Sequence, residues 1–213
     1  FVNLHTGPIR AQTLTVYQNL SKILKQQGSS LDNIILQRIF LPDLRDTRAM
    51  EDVMLSFFPG YKPATTISGV ADRGLHYGLR VWVDVVALIP QEGGLEREAI
   101  YLPELEAITA PYPQGVKVGQ FLFMEGIMGL DPKSREPVTR LDDLGADAAK
   151  IRLGRLHGDA TAEAIKAQLW LTYKHLERVL KSQGAGLKDI LRLNTFYRHG
   201  MKELTNRYPV QVA

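Results

Sequence analysis

The feature that most constrains this chain is an internal repeat. At an offset of 156 residues, Ala11–Phe40 matches Ala167–Phe196 with 11 identical positions in 30 and no gap. Unrelated segments of ordinary composition would share about two. The identical pairs include Tyr17/Tyr173, Leu20/Leu176, Leu24/Leu180, Gly28/Gly184, Ile34/Ile190 and Phe40/Phe196. A segment written twice is expected to fold twice.

Each copy has a readable physical pattern. Val16, Tyr17, Leu20, Ile23 and Leu24 fall on one helical stripe, and so do Ile165, Leu169, Tyr173, Leu176 and Val179. Gly28 and Gly184 follow where a helix ends best on a residue that tolerates a left-handed backbone. Apolar, β-branched runs come next, Asn33–Leu41 and Asp189–Tyr197, and each reads as a strand. In the first copy a second helix is expected over Thr47–Phe58, with Asp46 as its N-cap and Pro59-Gly60 ending it. Ala64–Ala71 and Leu79–Ile89 read as two further strands.

The rest of the chain is read around these copies. Gln91–Pro111 contains Gly93-Gly94 and Pro103 and reads as a linker. Gly115–Gly119 and Phe121–Met128 are expected to form a hairpin that begins copy two, and Asp131-Pro132-Lys133-Ser134 a turn. Arg140–Asp159 has no counterpart in copy one and reads as a surface insertion. The expectation is an α/β fold in which each unit is a sheet with two helices on one face, two units in tandem. The units would span 1–92 and 111–213, joined by a linker at 93–110, with an insertion at 140–159. Copy one would lack its opening hairpin and copy two its last strands. Because the chain opens on Phe1 rather than Met, it reads as part of a longer protein or one whose start has been removed.

Composition excludes several classes of function. With no cysteine there is no disulfide, thiolate zinc site or cysteine nucleophile, and a reducing, cytoplasmic setting is expected. The 26 basic and 23 acidic residues are spread along the chain without a basic stripe, which argues against nucleic acid as a partner. The longest apolar run, Val81–Pro90, is interrupted by Asp84 and falls far short of the ~20 residues needed to cross a bilayer, so no membrane association is expected. His5, His76, His157, His175 and His199 show no i,i+4 pairing, so no metal site is expected, and His175 reads as a helix-surface residue. No nucleophile elbow or phosphate-cradling glycine loop is present, and no cofactor is expected.

Several short motifs occur in an order that resembles a known family. Pro111-Tyr112-Pro113-Gln114-Gly115-Val116-Lys117-Val118-Gly119, then Phe121-Leu122-Phe123-Met124-Glu125-Gly126 and Gly129-Leu130-Asp131-Pro132, resembles the opening of RidA-like (YjgF, or L-PSP) proteins. Leu20–Leu41 is similar to the family's helix–glycine–strand, and Lys62-Pro63-Ala64-Thr65-Thr66 with Val81–Leu88 to its closing third. The resemblance implies a chorismate-mutase-like fold and homo-oligomers, trimers or a pseudo-trimer or hexamer of units, with a small-molecule site in each cleft between neighbours. Many such proteins hydrolyse imines or enamines to a keto acid and ammonia. The family's arginine after Pro-Ala would hold the substrate carboxylate, and a glutamate on the last strand would position water.

The departures from that pattern define the candidate site. Thr65 stands at the arginine position, and a hydroxyl cannot replace a bidentate guanidinium. Trp82 aligns with the glutamate, and Glu125 replaces the small serine before Gly126. Tyr112 and Glu125 are the catalytic candidates; Tyr112, Gly126, Thr65, Arg80 and Trp82 are the candidates for binding substrate. Strand alternation would put Arg80, Trp82 and Asp84 on one face, either to bind an anion beside a stacking indole or to form a plain Arg–Asp pair. Glu125 reads as a general acid or base if burial raises its pKa, or as an ordinary ion-pair partner. Two functions lead: a small-metabolite imine or enamine deaminase, or a non-catalytic ligand-binding or oligomerisation module of a larger protein; the ribonuclease activity claimed for some members of the family is a third, disfavoured by the dispersed charge.

Overall fold

The computed structural model describes residues 7–70, 78–151 and 160–196. The chain divides into two compact units, one of residues 1–101 and 112–126, the other of 102–111 and 127–213.

In the first unit the order is α1 (Gly7–Gln26), β1 (Ile34–Leu41), α2 (Thr47–Met54), β2 (Ala64–Gly69) and β3 (Trp82–Ala87). The sheet runs β2-β1-β3, parallel between β1 and β2 and antiparallel between β1 and β3. Central β1 is buried because both its faces are covered, Ile39 and Leu41 on one and Ile35 on the other. The helices lie on one face, where Tyr17, Ile34, Ile39, Leu41, Met50, Met54 and Phe58 form a closed core. Tyr17 stacks on Phe57 and meets Phe58 edge-on. The register shift between Ile34 and Leu36 turns Ile35 to the opposite face.

That opposite face is covered from within the same unit. β4 (Arg97–Ile100), β5 (Gly115–Val118) and β6 (Phe121–Met124) form a second antiparallel sheet. Val116, Val118 and Phe123 pack with Ile35, Leu36, Ala64 and Val86. The hairpin expected to open copy two therefore completes the unit built from copy one, because it offers the apolar face that covers Ile35 and Ala64.

Three further expectations change. The proposed linker 93–110 carries β4, which gains a full ladder from Arg97↔Val118 to Ile100↔Gly115, and α3 (Pro103–Thr109). Pro103 starts that helix rather than breaking the chain, since a first-turn proline loses no hydrogen bond. The insertion at 140–159 is not a solvated loop over its described part. Leu141, Ala148 and Ile151, with α4 spanning Ala148–Ile151, are buried with Ala167, Leu169 and Trp170 in the core of the second unit. Asp46 does not cap α2 with its side chain; it accepts from Arg80 instead.

The repeat itself is legible in the backbone. α1 ends with Ser29 N–H donating to Leu24 O and Gly28 N–H to Lys25 O; α5 (Ala160–Ser182) ends with Ala185 donating to Leu180 and Gly184 to Lys181. Both are Schellman caps, with Gly28 at φ 74° and Gly184 at φ 75°. Each is followed by a short 3-10 turn, Leu31–Asn33 or Leu187–Asp189. There the likeness stops. Ile190–Phe196 is not a strand, and Leu191 is 85% exposed. No strand pairs with it among the described residues, and a strand without a ladder has nothing to stabilise it. Tyr197, the last residue of that expected strand, lies outside the described ones.

Candidate functional site

Thr65, at the family's arginine position, belongs to the core rather than to a cleft. Tyr17 Oη donates to Gln37 Oε1 at 2.7 Å, Gln37 Nε2 donates to Thr65 Oγ1 at 2.9 Å, and Thr65 Oγ1 donates to Pro63 O at 2.9 Å. All three side chains are buried. Burial pushes the Tyr17 hydroxyl far above its ordinary range. Every polar atom in this chain has a partner, so Thr65 ties β2 to β1 and α1 and offers nothing to a ligand.

Arg80 and Trp82 are not brought together. Arg80 precedes β3, and its guanidinium meets the buried Asp46 carboxylate at 2.6 Å, while its N–H donates to Gln12 Oε1. The alternation expected through Arg80 begins only at Trp82, because the Asp46 carboxylate holds Arg80 against the start of α2. Asp84 pairs instead with Arg38, its cross-strand neighbour, at 3.3 Å. Trp82 is 49% exposed on the edge strand.

Tyr112, Glu125 and Gly126 do converge. Ile100, Gly115 and Met124 form one row across the second sheet, and just past it the Gln114 backbone bridges Ile100 and Glu125. Gln114 N–H donates to Ile100 O and Glu125 N–H to Gln114 O. Gly126 then passes so close to β2 that a Cβ there would stand 2.5 Å from Thr66 Cγ2, so only glycine fits without displacing Thr66. Tyr112 is buried, and its hydroxyl donates to Glu51 Oε1 on α2. Burial first, and then the Glu51 hydrogen bond, push its pKa far above the ordinary tyrosine value.

Glu125 is the chemically unusual member. It is 6% exposed, and Oε1 has no hydrogen-bond partner among the described residues. Burial pushes its carboxyl up to about 9, so it is protonated at neutral pH. Its charge, when present, raises the pKa of both Tyr101 and Tyr112, after their own burial. A carboxylic acid kept neutral in this way can donate a proton to a nitrogen or oxygen placed against it.

Sequence reasoning passed over Glu51, Thr66 and Tyr101. Each owes its place to a contact between elements far apart in the chain, and no local motif marks them. His175, expected on a helix surface, is fully buried, with Nε2 2.9 Å from Leu130 O. The other four histidines lie outside the described residues. Among the described residues there is no group of side chains suited to hold a metal, and no helix long and apolar enough to cross a membrane.

Residues 2–89 match the family model of Endoribonuclease L-PSP. The match falls on copy one. Over 80 residues the chain is 35% identical to the mitochondrial protein MMF1 of Saccharomyces cerevisiae, covering 38% of this chain and 55% of that protein. It is 30% identical over 84 residues to a 2-iminobutanoate/2-iminopropanoate deaminase of Dermatophagoides farinae, covering 39% and 64%. Among solved structures, yeast Mmf1 aligns at 32% identity with a TM-score of 0.36, over 38% of this chain and 62% of that one. A member of the Rid protein family from Yersinia pestis aligns at 29% with a TM-score of 0.35, over 37% and 62%. The chain thus spans little more than half the length of these relatives, up to 64%. Residues 2–89 are thus similar to the RidA-like L-PSP family.

Proposed function

We propose that the first unit binds a small metabolite where the end of β6 meets β2, and that it hydrolyses small imines or enamines there. The observation that carries this reading is the buried Glu125 carboxyl, protonated at neutral pH, with one oxygen lacking a partner among the described residues. The resemblance to an imine deaminase at 30% identity points to the same chemistry. Glu125 gives its proton to the imine nitrogen, or to the enamine carbon, forming an iminium ion. Water adds to the iminium carbon and returns a proton to the Glu125 carboxylate. The carbinolamine then breaks its C–N bond, leaving a carbonyl compound and ammonia. Tyr112, held by Glu51, would wall the site and position the substrate, and Gly126 would let the end of β6 close against Thr66 of β2 beside it.

The test is ammonia release from enzymatically generated 2-aminoacrylate and other short imines. The account expects acceleration by the 213-residue chain, a fall in rate as pH rises through about 9 where Glu125 loses its proton, and a loss of about 100-fold or more in Glu125→Gln. Equal rates with and without the protein would sink it. A second reading, a non-catalytic binding or oligomerisation module assembling as a homo-oligomer, is favoured by one observation: the Thr65 hydroxyl is fully used within the core. It expects no acceleration of any imine, together with concentration-dependent association of the chain.

A further inference from the structure

We propose that a groove between the Asn33 end of β1 and the segment 88–97 binds small organic carboxylates with a short aliphatic body, anchored by Arg97. The groove is open to solvent on one side, has a volume of about 640 Å3 and lies wholly in the first unit. Its wall is pinned to the sheet: Leu88 N–H donates to Asn33 O, and the Ser29 hydroxyl donates to Leu88 O.

The Arg97 guanidinium is fixed on two sides. It lies 4.0 Å over the Tyr61 ring, and Nη1 donates to Asn33 Oδ1 at 3.1 Å. This holds the fork in place before any ligand arrives, which lowers the entropy lost on binding. Arg10, Arg38, Arg45, Arg80 and Arg140 each meet an aspartate. Arg97 meets no carboxylate among the described residues, so its charge is unspent. A planar guanidinium with donors to spare matches a carboxylate in a two-point contact. The neighbouring walls select what else the ligand carries. Leu88, Ile89 and Leu95 line the groove, with Ile89 58% and Leu95 64% exposed, and a short alkyl chain would cover them. Glu96 is the one acidic residue in the lining and opposes the anion.

This groove is separate from the Glu125 site. Arg97 starts β4 and Tyr101 follows its end, roughly 13 Å along the strand. A result here and a result for imine hydrolysis therefore stand or fall independently.

The experiment is a titration of the 213-residue chain with hexanoate, followed by NMR of the Leu88, Ile89 and Leu95 methyls and the Arg97 Nε–H. Saturable shifts at these groups are expected, with hexan-1-ol and inorganic phosphate each binding at least about tenfold more weakly. Arg97→Gln should weaken hexanoate by a similar factor, and Glu96→Gln should tighten it. The comparison of hexanoate with hexan-1-ol needs no variant, so it holds even if Arg97→Gln does not fold. Absence of shifts at these groups, equal binding of the alcohol or of phosphate, or unchanged binding by a folded Arg97→Gln would overturn the proposal.

Discussion

Glu125 and Thr65 show how much a single position depends on what surrounds it. Glu125 sits in a stretch that would be unremarked in a solvated strand, yet its burial keeps the carboxyl protonated up to about 9. Between about 4.5 and about 9 the folded chain keeps a proton that the unfolded chain has released, so stability of the first unit falls as pH rises through this window. The slope approaches ~1.4 kcal/mol per pH unit for one proton. Glu125→Gln, which cannot ionise, should flatten it; urea midpoints followed on the Val116 and Val118 methyls at several pH values would show this. An unchanged slope in the variant would remove Glu125 as its source. That Glu125 differs from the family's serine was visible in the sequence, but its burial was not. Thr65 was equally visible as a lost arginine. Its hydrogen bond from Gln37 was not, since Gln37 and Thr65 meet only once β1 and β2 are paired.

At the scale of elements, local signals read truly and pairing did not. The two helices and their glycine caps follow from a 3.6-residue stripe and a residue free to turn left-handed, both written within about thirty residues. Nothing lies within 4 Å of a Cβ built on Gly28 or Gly184, so alanine there would meet only the backbone penalty of positive φ. Gly28→Ala and Gly184→Ala should therefore each cost about 1–2 kcal/mol, the first in unit one and the second in unit two. Denaturation of the two variants followed unit by unit would check it; a cost in the wrong unit would contradict the shared cap. The strands tell the opposite story. Ile34–Leu41 and Ile190–Phe196 begin alike, but only the first finds β2 and β3 beside it. Likewise β4 was hidden in a stretch rich in glycine and charge, because its ladder comes from β5, fifteen and more residues away.

On the scale of the whole molecule, the repeat does not draw the boundary between the compact units. Copy two lends Tyr112–Gly126 to the unit of copy one. The units also answer pH in opposite directions. In the second, His175 is buried, and its pKa is lowered first by that burial and then by the Arg178 charge, against the Leu130 carbonyl and Asp131, which raise it. Its neutral form is the one that fits, so the second unit keeps full stability above the ordinary value of 6.5 and loses it as pH falls below. His175→Gln should weaken that loss on acidification while leaving the alkaline side of the first unit untouched, as unfolding midpoints at pH 5 and pH 8 would reveal.

The end of β6 from one repeat seats on β2 of the other, and the proposed site around Glu125 depends on that contact. Since the chain has no cysteine, Thr66→Cys with Gly126→Cys tests it cleanly. A Cβ at Gly126 would stand 3.2 Å from Thr66 Cβ, close enough for a disulfide after a small shift. Mild oxidation should join residues 66 and 126 within one chain, seen as a single linked peptide pair from protein running at monomer mass. Two free thiols, or a link found only between chains, would contradict the account.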